Sequence, residues 1–481
     1  MKSLFRGAFL RGVSATVLSA SLVACTANPQ PLNRPGDLPP NFTAPNDKSA
    51  PVWPKAAWWA GFGSDELTPL EETAQKENLD IAQAAARVLQ AEANDGVALA
   101  ALFPTLGGSA GVTRSGGNNS IPRARTAYSA GLTASYQQGF FGTQYFDLQA
   151  AREDLRAARY AAAVTGISIS SQVADEYFSI LAFRERIALA NANIAAAKRI
   201  LAITQAKVNS GVTSNLELAE QQALLAQQES TLPGLIESEK EARYSLAILL
   251  GRAPEGFDIK AQNLDGIVAP AVQPGLPSEL LLRSPAIAQA EAQLYAAHAN
   301  VDAARSLYFP SLDLSGVFSE GGVSSVSNLF NFSLFTWSLG ASVLQTIFDG
   351  GAIHARNDAA RAAQQELIAA YRKAVFSGFQ DVETALGQVK STTDTVALVD
   401  TQTRADAEAF RISELQYREG TIDILALLQN QQSLFNAQQS LVQVKLSRLQ
   451  AHLSLYNALG GGWEQKADDA AYKNQLDWWP L

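Results

Sequence analysis

Two hydrophobic periods alternate along this chain, and the alternation occurs twice. Over 67–103 apolar residues recur at three- and four-residue steps (Leu70, Ala74, Ile81, Ala84, Val88, Ala91), which predicts an amphipathic helix. It should end at Phe103-Pro104, because proline disfavours helical geometry in the residue before it. The period then drops to two. Tyr128, Ala130, Leu132, Ala134 and Tyr136 alternate with Ser129, Gly131, Thr133, Ser135 and Gln137, predicting a strand over 126–137, with the Gly-rich stretch 105–115 as its partner. Gly116 to Ser120 between them is a polar surface loop. Helical spacing resumes near Tyr145 and runs to Asn209. Ser210-Gly211 breaks it, and Ser214 is placed to cap a returning helix that reaches Leu250 and should kink at Pro233.

The second half repeats the first. A helix is expected over 281–308, ending at Phe309-Pro310, 206 positions beyond Phe103-Pro104. Strands are expected over 311–320 and 333–345. Phe348-Asp349-Gly350 answers Phe140-Phe141-Gly142 at an offset of 208, and Gly420 answers Gly211 at 209. The long arm before Gly420 carries roughly 65 residues without proline, a helix on the order of 100 Å. After it, Leu425, Leu428, Phe435, Val442, Leu446, Leu449, Leu453 and Tyr456 follow a coiled-coil seam. The chain therefore divides into a first repeat (58–250), a Pro- and Gly-rich linker (251–277), a second repeat (278–463) and a tail (464–481).

What precedes the repeats sets the compartment. Lys2, Arg6 and Arg11 lead into a weakly apolar stretch over 13–23 that is too short to span a membrane, and it ends in Leu22-Val23-Ala24-Cys25. This is similar to a lipobox, so 1–24 is expected to be a lipoprotein signal peptide and Cys25, the single cysteine of 481 residues, the lipid attachment site. Thr26 rather than Asp after it favours the outer membrane. Residues 25–57, with eight prolines among 29–54, are an extended tether. Much of the hydrophobic share of 47% is Ala, which suits thin helical walls, and the net charge of -9 disfavours nucleic acid as a partner.

Four strands cannot close a barrel, and open strand edges are not tolerated in hydrocarbon. The chain must oligomerise. Two copies would give a filled eight-stranded barrel, whereas three give twelve strands around a lumen, with the helical hairpins ringed as a cylinder. The expected fold is mainly α with a membrane β-barrel, and internally duplicated.

Across nearly all of the mature chain the sequence resembles TolC-like outer-membrane efflux proteins, in particular their lipoprotein branch. The residues that carry this are Trp58-Trp59 with Phe62 and Asp65, Asn78-Leu79, both Phe-Pro helix ends, Leu232-Pro233, Leu249 to Pro254, Leu276-Pro277-Ser278, Tyr371, Asp381-Val382-Glu383, and Leu455 to Trp463. One departure is Arg283-Ser284-Pro285-Ala286-Ile287, where the family usually has Arg-Arg-Pro-Asp-Ile; it leaves a helix-start interaction open. The resemblance implies a homotrimer in the outer membrane of a Gram-negative bacterium, anchored in its lipid, whose 12-stranded β-barrel is continuous with a long periplasmic helical barrel. It also implies a periplasmic adaptor docking at the hairpin tips Gly211 and Gly420, and beyond it an inner-membrane transporter of the resistance-nodulation-division type. No cofactor is implied.

At the second tip two roles fit the same residues. Asp423 is placed to cap the returning helix, with Tyr417 and Arg418 as ordinary turn residues. Alternatively, as the resemblance suggests, Asp423 forms a threefold acidic ring at a periplasmic gate that Tyr417 and Arg418 help to hold. His298, His354 and His452 lack metal-site spacing, and no nucleophile sits in a recognisable setting, so no enzyme activity is expected. Beside the efflux duct stand a duct for type I polypeptide secretion, against which Cys25 and the Gly460 to Trp463 ending argue, and a lipid-anchored periplasmic scaffold without a pore.

Overall fold

The computed structural model describes Phe42 and residues 53–116, 124–139, 141–270 and 277–463. The signal segment 1–24, Cys25, most of the tether, the loop after Gly116, part of the 251–277 linker and the 464–481 tail lie outside the described residues. In chain order the elements are α1 (Leu67–Glu77), α2 (Leu79–Ala100), β1 (Thr105–Ser115), β2 (Arg125–Gly139), α3 (Thr143–Asn209) and α4 (Asn215–Leu249). After the linker come α5 (Pro277–Arg283), α6 (Pro285–Ser306), β3 (Ser311–Val323), β4 (Thr336–Leu344), α7 (Ala352–Arg418) and α8 (Ile424–Ala458).

The duplication is visible element by element. Both α3 and α7 have 67 residues, and both α4 and α8 have 35, each pair starting 209 positions apart (143 to 352, 215 to 424). Pro233 does not end α4, although it removes one backbone donor.

The single helix expected over 67–103 is two helices. Asn78 breaks it with an extended ψ of 132° and starts the second: its Oδ1 accepts from the Asp80 and Ile81 amides at 2.8 and 3.0 Å. Its Nδ2 donates to the Leu249 carbonyl at 2.8 Å, which ties this break to the end of α4. The helix expected over 281–308 is likewise split, at Ser284, because Pro285 cannot continue α5 but suits the first position of α6. Ser284 Oγ accepts from the Ile287 amide at 3.5 Å, so the helix start left open by the sequence departure is capped. Each break faces a left-handed glycine. A Cβ on Gly251 (φ 69°) would lie 2.2 Å from the Glu77 carbonyl oxygen, and one on Gly460 (φ 86°) would lie 2.0 Å from that of Arg283.

The described residues fall into two compact units. One lies within Glu92–Asp154 and Gln293–Ala369 and holds the sheet; the other lies within Pro39–Ala91, Leu155–Ala292 and Ala370–Leu481 and holds the hairpin ends.

In the first unit the strands form one antiparallel sheet in the order β1-β2-β3-β4. Its register aligns one kind of side chain across all four strands: Gly108 opposes Leu132, Leu132 opposes Phe318, and Phe318 opposes Trp337. The neighbouring row on the other face runs Gly107, Thr133, Val317, Ser338. One face is therefore mainly apolar and the other mainly Ser, Thr, Gly and Gln. Trp337 and Leu339 on the apolar face are 74% and 80% exposed. The strand expected from 333 begins only at Thr336, because Phe332–Leu334 coils into a 3-10 turn capped by Asn331 Oδ1 on the Ser333 amide at 3.2 Å.

The second unit has the larger core. Trp58 stacks on Tyr456 with ring centroids 5.0 Å apart, and Phe62, Tyr177, Phe178, Leu246, Leu449 and Leu453 close around them. The described part of the linker is strapped down by charge. Arg184 donates to the carbonyls of Ile259 and Ala261 at 2.8 and 2.9 Å and pairs with Glu239 and Asp258, while Glu66 accepts from the Lys260 and Ala261 amides. Glu71 on α1 is fully buried; neither carboxyl oxygen has a well-aligned partner, and Ser170 gives it only weak compensation. Burial pushes its pKa up to about 9.

Candidate functional site: the paired hairpin tips

Both tips are built by the same local chemistry. A 67-residue helix needs a left-handed residue to reverse, and glycine supplies it at Gly211 (φ 76°) and Gly420 (φ 73°). The next amide then reaches back around the last turn: Val212 N donates to Lys207 O and Thr421 N to Gln416 O, each at 2.9 Å. Three residues beyond each glycine a side-chain oxygen caps the returning helix. Ser214 Oγ accepts from the Glu217 amide at 3.4 Å, and Asp423 Oδ1 from the Ala426 amide at 3.0 Å. Asp423 is thus the counterpart of Ser214, and its capping role is plain. It is also exposed, as are Arg418, Gly211 and Gly420.

The tips differ in what surrounds this frame. On α7, Arg411 pairs with Glu408 at 2.7 Å and Arg418 with Glu414 at 3.0 Å, while the 209–214 turn carries no charge. Tyr417 does not join that exposed charge. It is 3% exposed and packs with Ile200, Ile424 and Leu427. Its hydroxyl lies 3.1 Å from Thr204 Oγ1, and burial raises its pKa, so it stays protonated.

Lys207 is the residue that sequence reasoning missed. Its Nζ donates to the Tyr417 carbonyl at 2.5 Å and sits 4.0 Å from the Tyr417 ring centroid. The ammonium therefore neutralises an end carbonyl of α7 and faces the ring's π cloud at once. Thr204 and Lys207 come from the neutral-looking hairpin, so the charged tip is held partly by its twin, within one chain. Nothing in the spacing signals this, since the partners lie 210 and 213 positions apart. Cys25 lies outside the described residues. Among those residues no group of three or more His, Cys, Asp or Glu is arranged to hold a metal ion.

Comparison with known proteins agrees with the duplicated architecture. The family described as outer membrane efflux protein matches twice, over 70–252 and 276–461. The chain is 34% identical over 471 residues to the pyoverdine export outer membrane protein OpmQ of Pseudomonas aeruginosa, covering 95% of this chain and 99% of that one. It is 27% identical to the cation efflux system protein CusC of Escherichia coli, over 93% of this chain and 98% of that one. Among solved structures, the open state of the Neisseria gonorrhoeae MtrE outer membrane channel superposes with a TM-score of 0.81 at 28% identity, covering 89% of this chain and 96% of that one. The family model matches well over half of the chain, which therefore belongs to the outer membrane efflux protein family.

Proposed function

We propose that the chain is the outer-membrane exit duct of a tripartite efflux assembly, passively passing small toxic compounds from an inner-membrane pump to the outside. The sheet is the observation that carries this. It has one apolar and one polar face, and neither β1 nor β4 pairs along its outer edge within the described chain. Such edges require further strands in a membrane, and three copies supply twelve, apolar face to lipid and polar face to lumen. Each chain then contributes two hairpin ends, at Gly211 and Gly420, for a periplasmic adaptor, and a resistance-nodulation-division transporter supplies the energy. Asp423 and Arg418, exposed at the charged end, form the periplasmic gate, with Tyr417 holding the hairpins behind them. Cys25 carries the lipid anchor. Two of the named relatives are a pyoverdine export protein and a cation efflux protein, which supports small solutes rather than polypeptides as cargo.

Crosslinking of the detergent-purified protein should give a trimer, and planar bilayers should show discrete conductance. A monomer, or a silent bilayer, overturns the duct.

A further inference from the structure

At the foot of the sheet a cavity of about 420 Å³ opens where strands give way to helices. Its strand side is Gln137, Gly139, Ser311 and Leu344, and the register places all four on the mainly polar face. Its helix side includes Asp349 and Arg356. These are the charged groups of the lining, and they are not equivalent. Asp349 accepts from the Gly351 and Ile353 amides at 2.9 and 2.7 Å, so its carboxylate is engaged in starting α7, and those donors hold its pKa below the usual range. Arg356 is exposed, and no carboxylate of the described residues lies within ion-pair distance of it. The adjacent acid, Asp358, is paired with His354 at 3.3 Å.

The cavity is also prebuilt. Gln144 bridges the end of β2 to the start of α3, accepting from the Gly139 amide at 3.1 Å and donating to the Gln137 carbonyl at 3.0 Å. Thr143 and Ser306 share a hydrogen bond of 2.5 Å. These polar groups thus satisfy one another, and the Arg356 guanidinium is the cationic donor of the lining. The polar strand face above carries few competing charges, with Asp313 its one carboxylate among the described strand residues.

From this we infer that the cavity is a station for an anionic group of the transported solute, a carboxylate or phosphate, bound by Arg356 on the luminal wall. A planar guanidinium with free donors recognises such oxyanions in a forked geometry. The inference rests on the duct reading, since it takes the polar face as luminal. The duplication provides a control: at the α3 position equivalent to Arg356 stands Asp147, so the first repeat lacks the cation.

The test uses the intact channel in planar bilayers, with citrate as the probe anion in a chloride bath. Citrate should reduce wild-type conductance, and Arg356→Gln should raise the half-blocking concentration about tenfold, the loss of one charge-assisted contact. Arg356→Lys should restore part of the block, and Asp147→Asn should not weaken it. Equal block in wild type and Arg356→Gln, or no block of an open wild-type channel, overturns the station and leaves the duct intact. A wild-type protein without conductance overturns the duct, and the station with it.

Discussion

Replacing Glu71 with Gln should make the protein less sensitive to alkaline pH, and the size of the effect follows from the burial of one carboxyl. Glu71 is fully enclosed, and its pKa stands at about 9 against an ordinary 4.5. Between those values the folded chain holds a proton that the unfolded chain has released. The folded state thus binds more protons, and stability falls as pH rises, by about 1.4 kcal/mol per pH unit. The contribution is complete below the unfolded pKa and is lost progressively toward pH 9. From pH 5 to pH 8 this amounts to about 4 kcal/mol. Burial also raises Asp175 and Glu176, the latter to about 7, and they add a loss of the same sign. Both remain in Glu71→Gln, so the difference between the proteins isolates Glu71. Denaturant unfolding in detergent, followed by helical circular dichroism at pH 5, 6.5 and 8, would show similar midpoints at pH 5 and a more stable variant at pH 8. Parallel pH profiles would refute the assignment of a neutral, buried Glu71.

Gly460→Ala should greatly reduce the yield of folded protein, since its Cβ would meet the Arg283 carbonyl at 2.0 Å in a left-handed backbone; Gly234→Ala, where nothing lies within 4 Å, should be tolerated in the same expression assay. Tyr417→Phe removes the contact with Thr204 and should destabilise by about 1 kcal/mol, read as a small fall in the denaturation midpoint. Capping and gating by Asp423 can be separated: Asp423→Ser keeps a cap of the kind Ser214 provides, while Asp423→Ala loses it at a cost of about 1 kcal/mol. If the carboxylate also gates, both should raise conductance and weaken divalent-cation block; if only Asp423→Ala changes the channel, the effect is loss of the cap.

The chain's local chemistry was enough to lay out the repeat. Phe-Pro helix ends, period-two strands and the glycines at 211 and 420 act through backbone geometry that neighbouring residues decide, so their positions could be read directly. The same locality explains the misreading at Asn78. Its apolar neighbours keep helical spacing on both sides, and the break becomes favourable because the side chain also meets the Leu249 carbonyl, 171 positions away. At the tips, Gly420 and the cap at Asp423 were legible for the same local reasons, whereas the burial of Tyr417 under Lys207 was not. A buried polar network depends on which surfaces come together, and a sequence pattern specifies faces rather than partners. By itself, then, the sequence determined the order and kind of elements and the amphipathic face of each strand. Only the tertiary structure decided which residues close the charged tip, which carboxyl is forced neutral, and where an unpaired arginine meets the polar wall, because desolvation and ion pairing are set by long-range neighbours.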